Sequence, residues 1–443
     1  MLSNALRSQS VRAATRVHSA SAGCAVRRNF WSSSSPEPVK ETDELVAIPE
    51  VEKLLRDGIR SIGYNNADTE VMKDAMMWAQ LRNNNQGIIK LTSGGLAKSS
   101  DAEPTIENES PVGARINGNQ AMSMVVLERG VRLAIEKAKA CNIGVVGTYN
   151  TSQSCGALGF YTEKIASQGM IGIIMATSPE FVAPFGAKQP ILGTNPIACG
   201  VPTDQGLMLM DQATAAFPWF GLLEAKTAGI QIPEGVAYDA DGHPTRDPNA
   251  ALKGALRTFD RGYKSSNLAL MVELLAGPLV GAAHMNKLSA KNWGNLVIAV
   301  HPSMLGDAKT FYKSAGEVLQ RVQNADKLPG VKEIIIPGSK EAVLAQSRID
   351  AGAVPLEKNM LNELRVMAAN YDGMSQAGSS AGDDRQLQLL EQLVSRLDKI
   401  EQTVAATQQQ QHQLSRQQER LETVTAESLR GFNGMQGGSN NRF

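Results

Sequence analysis

Histidine is nearly missing from this chain: His18, His243, His284, His301 and His412 are the whole complement in 443 residues. None falls between His18 and His243, so that stretch supplies no imidazole of its own. Cysteine is as scarce. Cys24, Cys141, Cys155 and Cys199 form no Cys-x-x-Cys pair, which argues against a metal cluster or disulfide framework and for reduced thiols. Net charge is lacking too, because 44 basic side chains balance 44 acidic ones. No overall field draws the protein to nucleic acid or to an anionic membrane surface. No apolar run approaches the roughly 18–20 residues of a membrane span. Aromatics are only 5% of the chain, whereas Gly and Ala are plentiful and hydrophobic content is 42%. That balance suits an α/β core, and the length allows two or three domains.

One absence is local. No acidic residue precedes Glu37, while Arg7, Arg12, Arg16, Arg27 and Arg28 sit among Ser and Ala. Residues 1–38 therefore read as a mitochondrial transit peptide with a processing site near Arg28-Asn29-Phe30. From Ile48 the pattern becomes helical, with Val51, Leu54, Leu55 and Ile59 on one face, and a second helix spans Asn66 to Leu81. Residues 99–112 read as a loop. A short strand at 114–118, a helix from Met122 to Lys139 and a strand from Ile143 follow. Further on, the sequence predicts helices at 221–229, 268–281 and 311–322, and strands at 295–300 and 334–337. Residues 372–384 are a Gly/Ser-rich linker.

Past the linker, Leu390, Leu397 and Val404 hold one heptad position, and Leu393, Ile400, Leu414 and Leu421 hold the other. This spacing predicts a coiled coil over 385–430, with a solvated Gln-rich single helix as the other reading. Residues 431–443 read as a disordered tail.

The stretch from Gly147 to Gly200 carries the densest motifs: Gly156-x-x-Gly159, Pro184-Phe185-Gly186 and Gly193-Thr194-Asn195-Pro196, around an apolar run from Ile171 to Met175. Taken alone these are either tight turns of a sheet-rich core or places where a ligand approaches the backbone. In order, they are followed by Met210-Asp211-Gln212-Ala213-Thr214, Asp241-Gly242, Asp247-Pro248, Gly262-Tyr263-Lys264 and Val272-Glu273. This series resembles the malate/L-lactate dehydrogenase family of NAD(P)-dependent oxidoreductases over about residues 48–365. The resemblance implies an α/β (α+β-like) core at 48–370 with a mixed or antiparallel sheet and flanking helices. It also implies a homodimer, and NAD or NADP as cofactor.

The same resemblance shows where the chain departs from the family. The two motif histidines fall on Gln86 and Ser154, and a motif arginine falls on Lys90. Interconverting a 2-hydroxy acid and a 2-oxo acid needs a proton donor with a pKa near neutrality, help worth roughly 10²–10⁴-fold. Neither an amide nor a hydroxyl supplies that unaided. By resemblance Ser178, Pro184, Gly186, Asn195, Asp211, Thr214 and Lys264 lie around the cofactor; Lys264 reads equally well as a surface lysine. Cys155 lacks a histidine partner in sequence, and no metal site is expected. Two functions follow. One is a catalytically degenerate relative serving as a structural subunit of a mitochondrial complex, docked through the coiled coil at 390–424. The other is an active oxidoreductase whose proton comes from water at Ser154 or from Lys90.

Overall fold

The computed structural model describes residues 42–377. The chain enters through β1 (Asp43–Ala47). Pro49 then opens α1 (Ile48–Ser61) in a first turn, where its missing N–H needs no partner. Val51, Leu55 and Ile59 follow at helical spacing and are fully buried. In α2 (Asn66–Leu81) the Asn65 side chain caps the first turn by accepting the Asp68 N–H at 2.9 Å. A single turn, α3 (Ile89–Thr92), comes next. Strand β2 (Thr105–Glu107) lies inside the stretch that reads as a loop and pairs with β3 (Gly113–Asn117). Three residues are too few to carry an alternating pattern, so sequence does not reveal it.

The central part of the chain is α4 (Ser123–Cys141), β4 (Ile143–Thr151), α5 (Leu158–Ala166), β5 (Ile171–Ala176), β6 (Ile197–Thr203) and β7 (Gly206–Gln212). After α6 (Trp219–Ala228), a small lobe holds β8 (Ala237–Tyr238), β9 (Pro244–Thr245), α7 (Pro248–Lys253) and β10 (Ala255–Leu256). Then come α8 (Tyr263–Ala276), the one-turn α9 (Lys287–Ala290), β11 (Trp293–Val300), α10 (Ala308–Gln323), α11 (Ser339–Ala351), β12 (Ala353–Glu357) and α12 (Lys358–Ala377).

Seven strands make the main sheet in the order β2-β3-β4-β11-β5-β6-β7. Only β3 and β4 run parallel; the other neighbours are antiparallel, as the resemblance implies. Alternation sets the two faces. Ile174 and Val297 point into the main core with Val131 of α4 and Ile165 of α5. Their neighbours Met175 and Leu296 point the other way, against Val272 and Ala276 of α8. A third core, with Val182, Leu192, Leu222 and Leu256, supports the small lobe. β1 and β12 pair as a separate antiparallel ribbon.

Three further elements differ from the sequence pattern. The helix expected at 268–281 starts at Tyr263, because the Asp260 carboxylate accepts the Gly262 and Ser265 N–H groups and fixes its first turn. It stops at Ala276, where Gly277-Pro278 cannot continue it. The strand expected at 334–337 is absent. Ile336 is buried, but Pro337 has no N–H for a ladder and contributes only its carbonyl, to the Leu209 N–H at 3.2 Å. Helix α12 runs on to Ala377, into the 372–384 stretch that reads as a linker. The transit segment at 1–38, the coiled coil at 385–430 and the tail lie outside the described residues.

Candidate active site

A cleft of about 550 Å³ opens where the ends of β5 and β7 meet α3, the loop before α5 and the start of α6. Its floor is made by residues that are neighbours in space and distant in sequence.

Lys90 sits on the single turn α3. Ile88 and Leu91 are buried, and the lysine lies on the same inner side of the turn, 3% exposed. Its ammonium lies 3.7 Å from the centre of the Phe220 ring. Among the described residues it makes no ion pair or hydrogen bond. Burial without a counter-charge pushes the amine down to about 8, with Cys155 pulling slightly the other way. Cys155 is itself pushed up to about 11 by burial, so the thiol stays protonated at neutral pH and is neither a nucleophile nor a counter-ion.

Asp211 ends β7 and reaches the N-terminus of α5. That helix has Ala157 at its N-cap, which offers no side-chain acceptor. The Asp211 carboxylate takes its place by accepting the Gly159 N–H at 2.7 Å. Desolvation of the carboxyl against the helix end pushes it up to about 6, although the Gly159 and Leu158 N–H groups pull it down and the residue's outer side is exposed. Lys90, Cys155 and Asp211 are the titratable side chains lining the cleft.

Ser154 and Gln86 also line it. The Ser154 hydroxyl accepts the Gly156 N–H at 3.2 Å and shapes the turn into α5. The Gln86 amide donates to Asn85 Oδ1 at 2.9 Å. No histidine among the described residues lines the cleft; His243, His284 and His301 all lie elsewhere. His243 belongs to an exposed turn in which Asp239 Oδ1 accepts the Asp241 and His243 N–H groups, which accounts for the gathering of Asp239, Asp241 and His243 there.

The cofactor-side residues named from sequence divide in two. Ser178 lines the cleft and ties two loops together, accepting the Thr194 N–H at 2.8 Å. Asn195 and Thr214 lie beneath the floor. The Thr214 hydroxyl donates to the Thr194 and Asn195 carbonyls at 3.0 and 3.1 Å. Asn195, fully buried with φ at +38°, donates to the Ala269 carbonyl at 3.1 Å and to Glu273 Oε2 at 2.8 Å. Glu273 in turn holds Lys287 Nζ at 2.7 and 2.8 Å. These residues support the site's backbone and do not face its space. Pro184, Gly186 and Lys264 are not part of the lining, and Lys264 is exposed on the first turn of α8.

The Gly193 turn shows how tight this support is. A Cβ at Gly193 would come within 2.5 Å of Asn195 Oδ1 and would overlap the Ser178 hydroxyl. Gly193→Ala is expected to cost about 1–3 kcal/mol, the usual penalty for overpacking, read as a lower midpoint in urea. A midpoint equal to the parent's would contradict the packing.

Sequence reasoning missed the aromatic wall. Phe181 and Trp219 stack at 3.7 Å with planes 9° apart, and Phe220 lies over Lys90. The available signal was Phe217, Trp219 and Phe220 within four residues of an aromatic-poor chain.

The volume falls in the range of small-molecule sites and suits a nicotinamide ring beside a small acid. The N-terminus of α5 does not suit a nucleotide phosphate, because Asp211 already occupies it and would repel the charge.

The family model described as malate/L-lactate dehydrogenase matches residues 46–365. The malate/(S)-sulfolactate dehydrogenase of Methanothermus fervidus is 34% identical over 342 residues, covering 73% of this chain and 97% of that protein. A Δ(1)-pyrroline-2-carboxylate reductase of Burkholderia ambifaria is 34% identical over 281 residues, 61% of this chain and 77% of that one. Among solved structures, the sulfolactate dehydrogenase of Methanocaldococcus jannaschii superposes with a TM-score of 0.65 at 33% identity, over 74% of this chain and 98% of that one.

Proposed function

From the premise that this chain belongs to the malate/L-lactate dehydrogenase family, we propose that its cleft binds a nicotinamide nucleotide and a small carboxylate without efficient interconversion of 2-hydroxy and 2-oxo acids. The observation that carries this reading is the cleft lining itself, to which no histidine among the described residues contributes. A bound nicotinamide would supply or accept hydride. This chain's own contributions are Lys90, whose unpaired ammonium offers a carboxylate its missing partner, and the Phe181–Trp219 wall, which offers a flat apolar surface. Ser154 and Gln86 supply no proton near neutral pH, and Cys155 holds its own too tightly.

The same proposal makes the chain a catalytically degenerate family member working as a structural subunit in mitochondria. The acid-free segment 1–38 and the heptads at 390–424 support it. A homodimer is included: Leu270, Leu274 and Leu279 leave an apolar, exposed patch along and just beyond α8 that a second copy would cover.

A second reading is favoured by the same lining and by the pyrroline-carboxylate reductase relative. A cyclic imine is protonated by water before it accepts hydride, so its reduction needs no imidazole. A carboxylate anchor at Lys90 would suffice.

Thermal shift with NADH and NADPH tests the binding. A nucleotide at 100 times its dissociation constant should stabilise the fold by about 2.7 kcal/mol, and no shift with either at millimolar concentration would remove the proposal. A hydride-transfer screen separates the readings. Turnover of malate or lactate above about 1 s⁻¹ overturns degeneracy, whereas turnover confined to cyclic imino acids establishes the second reading.

A further inference from the structure

Lys90 has a chemistry that anchoring does not use. Its side chain is buried, its amine borders the cleft, and the face of the Phe220 ring lies 3.7 Å from it. No carboxylate among the described residues holds it as an ammonium. A lysine in such a dry, unpaired setting is a nucleophile toward carbonyl carbon, because the neutral amine is populated and the lone pair is free.

We propose that Lys90 forms an imine with the carbonyl carbon of a small 2-oxo acid bound in the cleft. This rests on the proposed function only in taking the cleft as a site for a small acid. The amine lone pair attacks C2, and the carbonyl π electrons move to oxygen, which takes up a proton as nitrogen gives one to solvent. The carbinolamine hydroxyl then takes a proton from solvent and leaves as water while the nitrogen lone pair closes the C=N bond, and the resulting iminium returns one proton to solvent. Amine and ketone become imine and water, so no oxidant or reductant is consumed. The side-chain amides of Asn84 and Gln86 line the same cleft and offer N–H donors to the acid's carboxylate. Supporting this, an amine with a pKa of about 8 carries about 300-fold more free base at pH 7 than an ordinary lysine. The arrangement also explains what an arginine at this position would forbid: a guanidinium stays protonated and forms no imine in water.

The test is reductive trapping of the full chain. The protein is incubated with pyruvate or oxaloacetate and cyanoborohydride, and the intact mass is read. The expected result is one adduct per chain, heavier by the acid less one oxygen atom, mapped by peptide sequencing to Lys90. It should be absent with lactate and absent in Lys90→Arg. Mapping in the parent protein suffices should the variant fold poorly. Adducts spread over surface lysines, or equal labelling of Lys90→Arg, overturn the proposal. Thermal shifts run alongside keep the two ideas apart. A lactate or NADH shift with no adduct overturns the imine and leaves the binding cleft standing. A Lys90 adduct with no nucleotide shift supports the imine and removes the nucleotide. Neither signal removes both.

Discussion

Installing Gln86→His and Ser154→His together is expected to raise NADH-dependent reduction of 2-oxo acids by about 10²–10⁴-fold over the parent, the usual worth of positioned acid–base help. Both positions line the cleft, so an imidazole at either would face the space where a carbonyl oxygen could sit. The gain should appear in kcat, since proton transfer acts on the transition state and not on ground-state binding. A control is needed, because Ser154 also holds the Gly156 N–H and its loss could loosen the turn into α5. Histidine Nδ1 can accept the same bond, and the melting temperature and NADH shift of the variant report whether it does. A variant that binds NADH as the parent does and still shows no gain would show that a missing proton donor is not what limits the reaction, and Lys90→Arg in the same background would be the next measurement.

Lys287→Met should be the most damaging single change in the supporting framework, costing about 3–5 kcal/mol. Lys287 is fully buried and Glu273 almost so, and the two are bonded through both carboxylate oxygens. Removing the ammonium leaves a carboxylate in the interior, with the Asn195 amide its remaining side-chain partner among the described residues. The measurement is the urea midpoint, taken also on Glu273→Gln/Lys287→Met, in which no charge remains to be stranded. The double variant should recover part of the loss. A Lys287→Met midpoint within about 1 kcal/mol of the parent would show that the pair carries little. The consequence reaches the cleft, because Glu273 holds Asn195, and the Asn195 carbonyl holds Thr214 at the base of the Gly193–Pro196 turn.

Much of the fold was legible in advance. The Asn66–Leu81 helix and the strand beginning at Ile143 follow from helical and alternating spacing. The end of α6 at Gly229 follows from a residue free to turn left-handed, with φ at +65°. What failed was short or externally fixed. β2 is three residues long, and α8 begins early because Asp260, outside the helix, supplies its cap. At the site, the motif positions Gln86, Lys90, Ser154, Ser178 and Asp211 do share one cleft. Asn195 and Thr214 carry equally strong motif signals but are turned under the floor, and no local pattern distinguishes a residue that faces a ligand from one that braces the residue facing it.

The sequence by itself determined the family, the mixed sheet and the absence of histidine from residues 19–242. The fold leaves His243, His284 and His301 away from the cleft. The tertiary structure alone decided what the remaining groups are. The Lys90 amine is lowered to about 8 because the fold buries it against the Phe220 ring, with no acid among the described residues paired to it. Asp211 is a helix cap because β7 ends beside α5. Charge state and hydrogen-bond role depend on neighbours far away along the chain, and only packing supplies them.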